Sequence, residues 1–404
     1  MNSIINNPKL KRSDSMKNIY VLLAGESTSQ FGNNLFDIAI MWYLYRLTDN
    51  STTIGLISGT FNALVVLNVL TGYLADRFPK TKVMMTIDGL QAILMGVATY
   101  LYYGFALNIW TLVGVAFIAK ILGTVFDPAE NALIPQIVPV DQLQRVNSMN
   151  QGVKVCAQLV GMLAGGSLVA FVSLADFVLI NGLTFLVSLG CIVIVHKRVG
   201  HAEQVSVEQV QTRDWYAGLA YVYHNPMLRT LILLAVIVNM VIGPVLGLNI
   251  IWTRGTLHAS AIVYSLAQAL FIIGVVAGSI LINFVKTTFK TKLLLALTTM
   301  TVAVTFMVLT HSIGTTLIAM MVIGMAGGFV NVSLFTLIQL KTPGELLGRV
   351  NGAMMSCTNI SMPIGIALGG VITRYVGIAT VFIIGSAITL VALLAMSRVT
   401  LNEA

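Results

Sequence analysis

The chain is 404 residues long, 57% hydrophobic and only 9% charged, with a mean hydropathy of +0.88. A soluble domain carries about 25% charged residues, so this composition excludes a water-covered globule and makes the bilayer the solvent. The formal net charge of +8 raises a nucleic-acid reading, which the placement of the charges removes.

Residues 1–18 form a polar, basic tail containing Lys9, Lys11, Arg12 and Lys17. No short apolar stretch with a small-residue cleavage site follows it, so no cleaved signal peptide is expected and the first helix directs insertion. A spanning helix needs roughly 20 mostly apolar residues. That length predicts spans near 19–45, 53–74, 83–103, 109–126, 148–172 and 176–196. A second set falls near 230–252, 262–284, 292–311, 314–339, 349–373 and 378–397. The expected organisation is a six-helix half (19–196), a cytoplasmic linker (197–229), a second half (230–397) and a tail (398–404). The later part of the linker, DWYAGLAYVYHNPMLR, is aromatic-rich and amphipathic and is expected on the membrane surface.

An even number of spans puts both termini on one side, and lysine and arginine decide which. Of 23 such residues, Arg46, Arg254 and Arg374 fall in one set of loops and Lys120 and Lys154 inside helices. The remaining eighteen share the side of the termini, which is therefore cytoplasmic. The basic balance is topological, and no nucleic-acid partner is expected. Trp42, Tyr43, Tyr45, Tyr102, Tyr103, Trp110 and Trp252 are expected at the outer interface. Cys156, Cys191 and Cys357 all fall in apolar runs, an odd, buried set with neither a disulfide framework nor metal-ligand spacing.

The chain repeats itself. PVDQLQRVNS at 139–148 matches PGELLGRVNG at 343–352, and at the same offset of 204 Gly161, Gly165 and Gly166 match Gly365, Gly369 and Gly370. Two halves of even helix count point the same way, an arrangement typical of alternating-access carriers. The fold expected is all-α and polytopic, with twelve transmembrane helices in two six-helix pseudo-repeats. The repeated glycines suit close helix packing.

The first span carries the most chemistry. Glu26, Gln30, Asn33 and Asp37 are spaced 4, 3 and 4, which stacks them on one face, with Asn34 beside them. An ionised acid at the bilayer centre costs about 3 kcal/mol even on the lenient insertion scale. Two on one helix call for a wet cavity or a cation, and Lys120 in the fourth span is the candidate cation. Glu26 and Asp37 lie about 16 Å apart along the axis, so one lysine cannot serve both. Either acid could carry a proton in competition with substrate, because desolvation disfavours the charged form. The alternative is a static acid–lysine pair holding helices together. Asp88 is expected to pair structurally with a loop cation. Lys154, on one face with Gln151 and Gln158, is expected to snorkel or to pair with Asp127 or Glu130. The cores of the second-half spans hold only neutral polar groups such as Asn239, Gln268, Asn331 and Asn359, which with Met and Phe suggest a pliable apolar wall.

The loop after the second span, Gly72-Tyr-Leu-Ala-Asp76-Arg77-Phe-Pro-Lys80-Thr-Lys82, resembles the signature of the major facilitator superfamily. FDPAENALIPQIVP at 126–139, the Leu143/Arg145/Asn147 run and GLAYVYHNPMLR at 218–229 resemble its drug:proton antiporter branch, which includes macrolide efflux proteins. The resemblance covers almost the whole chain. It departs from the family where Met162, not proline, follows Gly161 (Pro363 stands in the second copy), where Lys120 replaces the usual arginine, and where Lys286 marks a degraded second copy of the loop.

The resemblance implies a major facilitator fold in the plasma membrane and proton-gradient-driven efflux of hydrophobic or cationic drugs, macrolides among them, by a monomer without a cofactor. It implies a cytoplasmic gate of Gly72, Asp76, Arg77, Lys80, Arg145 and Arg349, in which Asp76 faces the positive N-terminus of the eleventh span. Export of a metabolite such as a siderophore, or flipping of a lysolipid, uses the same fold. A non-transporting scaffold fits less well, because the chain has buried acids and no output domain. An enzyme fits least: the sequence shows no nucleophile–base set and no phosphate-binding loop.

Overall fold

A computed structural model describes residues 12–67, 71, 78–105, 108–199 and 217–398. Among the described residues the chain forms twelve membrane helices and one further short helix. In the first half these are α1 (Arg12–Thr48), α2 (Ser51–Ala63, running into a 3-10 turn Leu64–Leu67), α3 (Lys80–Phe105), α4 (Ile109–Ile137), α5 (Leu143–Leu168) and α6 (Leu174–Val199). The short helix is α7 (Ala217–His224). The second half contributes α8 (Pro226–Gly247), α9 (Ala261–Leu281), α10 (Phe289–Thr310), α11 (Ile313–Lys341), α12 (Gly344–Val376) and α13 (Ile378–Arg398). Among the described residues nine helices are long and apolar enough to cross a membrane by composition alone. Helices α1 and α5 are not among them, because acids, amides and lysines interrupt their apolar faces, and α2 is too short over its described residues.

Local chemistry sets the helix starts. Asn50 caps α2 by accepting from the backbone N–H groups of Thr52 and Thr53, and Asn225 caps α8 by accepting from those of Met227 and Leu228. Pro226 then occupies the first position of α8, where its missing N–H is harmless. This cap starts α8 four residues before the expected 230. Gly377, at φ +81°, makes the turn between α12 and α13.

The chain divides into two compact units: residues 1–40 with 67–209, and residues 41–66 with 210–404. The end of α1 and all of α2 thus group with the second half, not with the first six helices. In the first unit α3 packs along α6 and α4. An apolar core of Leu22, Leu23, Met84, Val125, Phe126, Ala129, Leu133 and Val195 joins α1, α3, α4 and α6. In the second unit α9 packs on α11, and α12 packs on α2 and α8.

Repeat-related glycines occupy comparable crossings. A Cβ on Gly161 would meet the carbonyl of Phe31 at 2.5 Å, and one on Gly165 that of Leu35 at 2.8 Å, both on α1. Gly365 lies against the carbonyl of Met240 and Gly369 against Pro244 at 2.9 Å, both on α8. Gly166 is buried in α5, and Gly370 crosses Gly55 of α2.

The aromatic belt is smaller than expected. Trp110 and Tyr103 are exposed, but Trp252 is fully buried and donates to Thr316 at 3.1 Å, while Trp42 and Tyr45 are buried too. Arg254, expected in a loop, sits in a π-helical turn Ile251–Thr256 with its guanidinium 4.5 Å from the centre of the Trp42 ring. Amphipathic rings can bury their bodies against protein as readily as against headgroups. The cysteines are free thiols, and none is buried: Cys156 is exposed and Cys191 and Cys357 are partly exposed, which corrects the expected buried set.

Candidate functional site

The site lies in the first unit, and α4 is the key to it. The sequence reading ends this helix at 126, ahead of Pro128 and Pro135; the structure continues it to Ile137 with both prolines inside. Proline removes one helical N–H, and the carbonyl four residues before Pro128, that of Thr124, accepts instead from the Thr71 hydroxyl at 2.7 Å. The extra turns carry Asp127 and Glu130 into the bundle.

Helices α1 and α4 run antiparallel. Asp37 lies eleven residues after Glu26, and Lys120 ten residues before Glu130, so the two helices bring their charges level at two heights. At one height Lys120 donates to Asp37 at 2.8 Å, with both side chains about a third exposed (29% and 39%). At the other, Lys154 of α5 lies 2.5 Å from Glu26, 2.7 Å from Glu130 and 3.4 Å from Asp127. Glu26 is 2% exposed and Glu130 is completely buried. Asn150, one turn before Lys154, donates to Glu130 at 3.2 Å.

A cavity of about 290 Å³ opens beside the first pair. Gln30, Asn33, Asn34, Asp37, Lys120 and Asp127 are among its lining residues. Asp88 also lines it, 1% exposed, with Oδ2 lacking a hydrogen-bond partner, as does Asn181, whose Nδ2 is likewise buried without one.

Of the predicted coupling residues, the structure brings Gln30, Asn33, Asp37 and Lys120 together. It places Glu26 elsewhere, on Lys154, so the assignment of Lys120 as the cation holds for Asp37 alone. Of the two expectations for Lys154 the pairing one holds: it meets both Asp127 and Glu130, and Glu26 joins them. Asp88 forms no ion pair with a loop cation. Among the proposed gate residues, Gly72, Asp76 and Arg77 lie outside the described residues. Lys80 begins α3 and is buried, Arg145 is exposed on the first turn of α5, and Arg349 falls in the early turns of α12. Sequence reasoning named Glu130 only as a structural partner of Lys154, not as a residue of the coupling site. The signal was present in the spacing of Lys120, Asp127 and Glu130 (7 and 3), which keeps one helical face if the helix continues through Pro128.

Comparison with known proteins agrees with this architecture. Residues 15–404 match the MFS_3 family model, described as a transmembrane secretion effector. The chain belongs to this family of major facilitator transporters. It is 25% identical over 405 residues to macrolide efflux protein A of Streptococcus pyogenes, covering 98% of this chain and 97% of that protein. It is 21% identical over 377 residues to the multidrug efflux pump Tap of Mycolicibacterium fortuitum, covering 90% and 91% of the two chains. Its fold matches the crystal structure of a bacterial homologue of the iron transporter ferroportin, with TM-score 0.71, 16% identity and coverage of 95% and 99%.

Proposed function

We propose that this transporter is a proton-driven exporter of hydrophobic or cationic compounds, macrolides among them, working by alternating access in the plasma membrane with both termini cytoplasmic. The observation that carries the reading is the Asp37–Lys120 pair, a partly exposed ion pair on the wall of a cavity inside a membrane-embedded helix bundle. Such a pair is held by modest forces, because its partial exposure screens the attraction. A cationic substrate group can compete with Lys120 for Asp37. The efflux relatives support the direction of transport.

Size limits what the cavity holds. Drug sites occupy about 300–1,000 Å³, and about 290 Å³ suits water, an ion or the charged end of a larger molecule. No cofactor is required, since the proton gradient supplies the energy, and the reading takes the monomer as the working unit. The cytoplasmic gate assigned to Asp76, Arg77 and Arg349, with Gly72, Lys80 and Arg145, belongs to the same proposal.

The test uses purified protein in liposomes under an imposed pH gradient, with lumenal pH followed as erythromycin, ethidium and a lysophospholipid are added in turn. Proton flux on adding erythromycin or ethidium supports the proposal. Flux with the lysophospholipid alone selects the lipid reading, and absence of flux with every probe overturns proton coupling.

A further inference from the structure

We propose that the coupling proton resides between Glu26 and Glu130 beside Lys154, arriving from the cavity past Asp127, and that Asp37–Lys120 is a substrate-side pair. The inference rests on the proton-coupled reading and assigns it a site. It starts from a charge count. Glu26, Glu130 and Lys154 are two carboxylates and one ammonium in a buried pocket, packed at one end of the apolar core around Leu23, Ala129 and Leu133. As ionised groups they leave one net negative charge, and burying an uncompensated charge costs several kcal/mol. One proton shared by the two carboxyls brings the trio to zero.

Geometry agrees with the count. Oxygens of Glu26, Asp127 and Glu130 lie within 4.8 Å of one another, and Lys154 lies 2.5 Å from Glu26 and 2.7 Å from Glu130. Two carboxylates repel at that range; a carboxyl and a carboxylate share a hydrogen bond. The second oxygen of Glu26, Oε2, is buried without a hydrogen-bond partner, so a position for the proton stands ready. A metal ion fits poorly, because the Lys154 ammonium already occupies the centre of the acids and would repel it.

The groups facing the pair are Asp127 from α4, with Lys154 and the neutral Asn150 from α5. Asp88 of α3 lines the same cavity as Asp127, and among the described residues it forms no ion pair with the cluster. Asp127 is 48% exposed, lines the cavity and touches Lys154, so it links the wet cavity to the dry pair. Loading converts one carboxylate to a carboxylic acid, with no other bond changed, and unloading returns the proton by the same residue.

Infrared difference spectroscopy of the full-length protein in lipid bilayers, between alkaline and acidic buffer, tests the assignment without any substrate. The expected signal is the carbonyl-stretch band of a protonated, buried carboxyl. Glu26→Gln and Glu130→Gln should each abolish it, because one carboxylate beside one ammonium is neutral without a proton. Lys154→Met should enlarge it, since both carboxyls then take up protons, and Asp37→Asn should leave it unchanged. A wild-type band that survives either glutamine substitution, or the absence of a wild-type band, overturns the proposal. A band with the expected variant pattern in a protein that moves no protons with any substrate would leave this site standing and refute the coupled-export reading.

Discussion

Lys154 is the side chain on which the most depends. It is the cation for three carboxylates, two of them buried, and removing one member of a buried ion pair costs about 3–5 kcal/mol. Lys154→Met is therefore expected to lower thermal stability strongly in alkaline buffer. In acidic buffer the deficit should narrow, because protons then bind the folded acids in place of the lost ammonium and linkage favours the state that binds more protons. Thermal unfolding in detergent at both pH values checks this, and an equal deficit at both would contradict it. Asp37→Asn is a milder change, as its pair is partly exposed; a loss of ion pairing worth about 0–1 kcal/mol should leave stability nearly intact and alter substrate affinity, read by ligand titration.

At the level of elements, α1 and α5 are joined by glycine. Gly161 and Gly165 let the backbone of α1 approach so closely that a side chain would collide with a carbonyl. Gly165→Leu should separate the helices and abolish folded, monodisperse protein, measured by size-exclusion chromatography. Gly152 on the same helix meets nothing within 4 Å, so Gly152→Ala should be tolerated and gain up to about 1 kcal/mol of helix propensity. Thr71→Val tests the proline in α4: it withdraws the hydroxyl from the free Thr124 carbonyl and should cost about 1 kcal/mol, again read by thermal unfolding.

For the whole molecule, the charge asymmetry of the loops predicts orientation. In a cysteine-free background, a cysteine replacing Asn50 should react with an impermeant maleimide from outside intact cells. One replacing Asp141 should react only after the cells are opened. Both positions are exposed in the structure, so silence reflects sidedness, and the reverse pattern would invert the assigned topology.

The bilayer class, the helix count, the half-chain repeat and the first-helix stripe of polar residues were legible in the residues, because hydropathy and spacing act locally. Family membership was legible in the loop signature for the same reason. The pairing of Lys120 with one acid of the first helix and of Lys154 with Asp127 or Glu130 was legible too; that Glu26 joins Lys154 was not. Glu26 and Asp37 share a helical face, yet they serve two sites because α4 runs antiparallel and continues through Pro128, and because α5 delivers Lys154 from a distant stretch of chain. Proline reads as a helix end in sequence; here Thr71 satisfies the carbonyl it frees. Partner choice among buried charges depends on helix register and on hydrogen bonds between segments far apart in sequence, and only the tertiary structure fixes those.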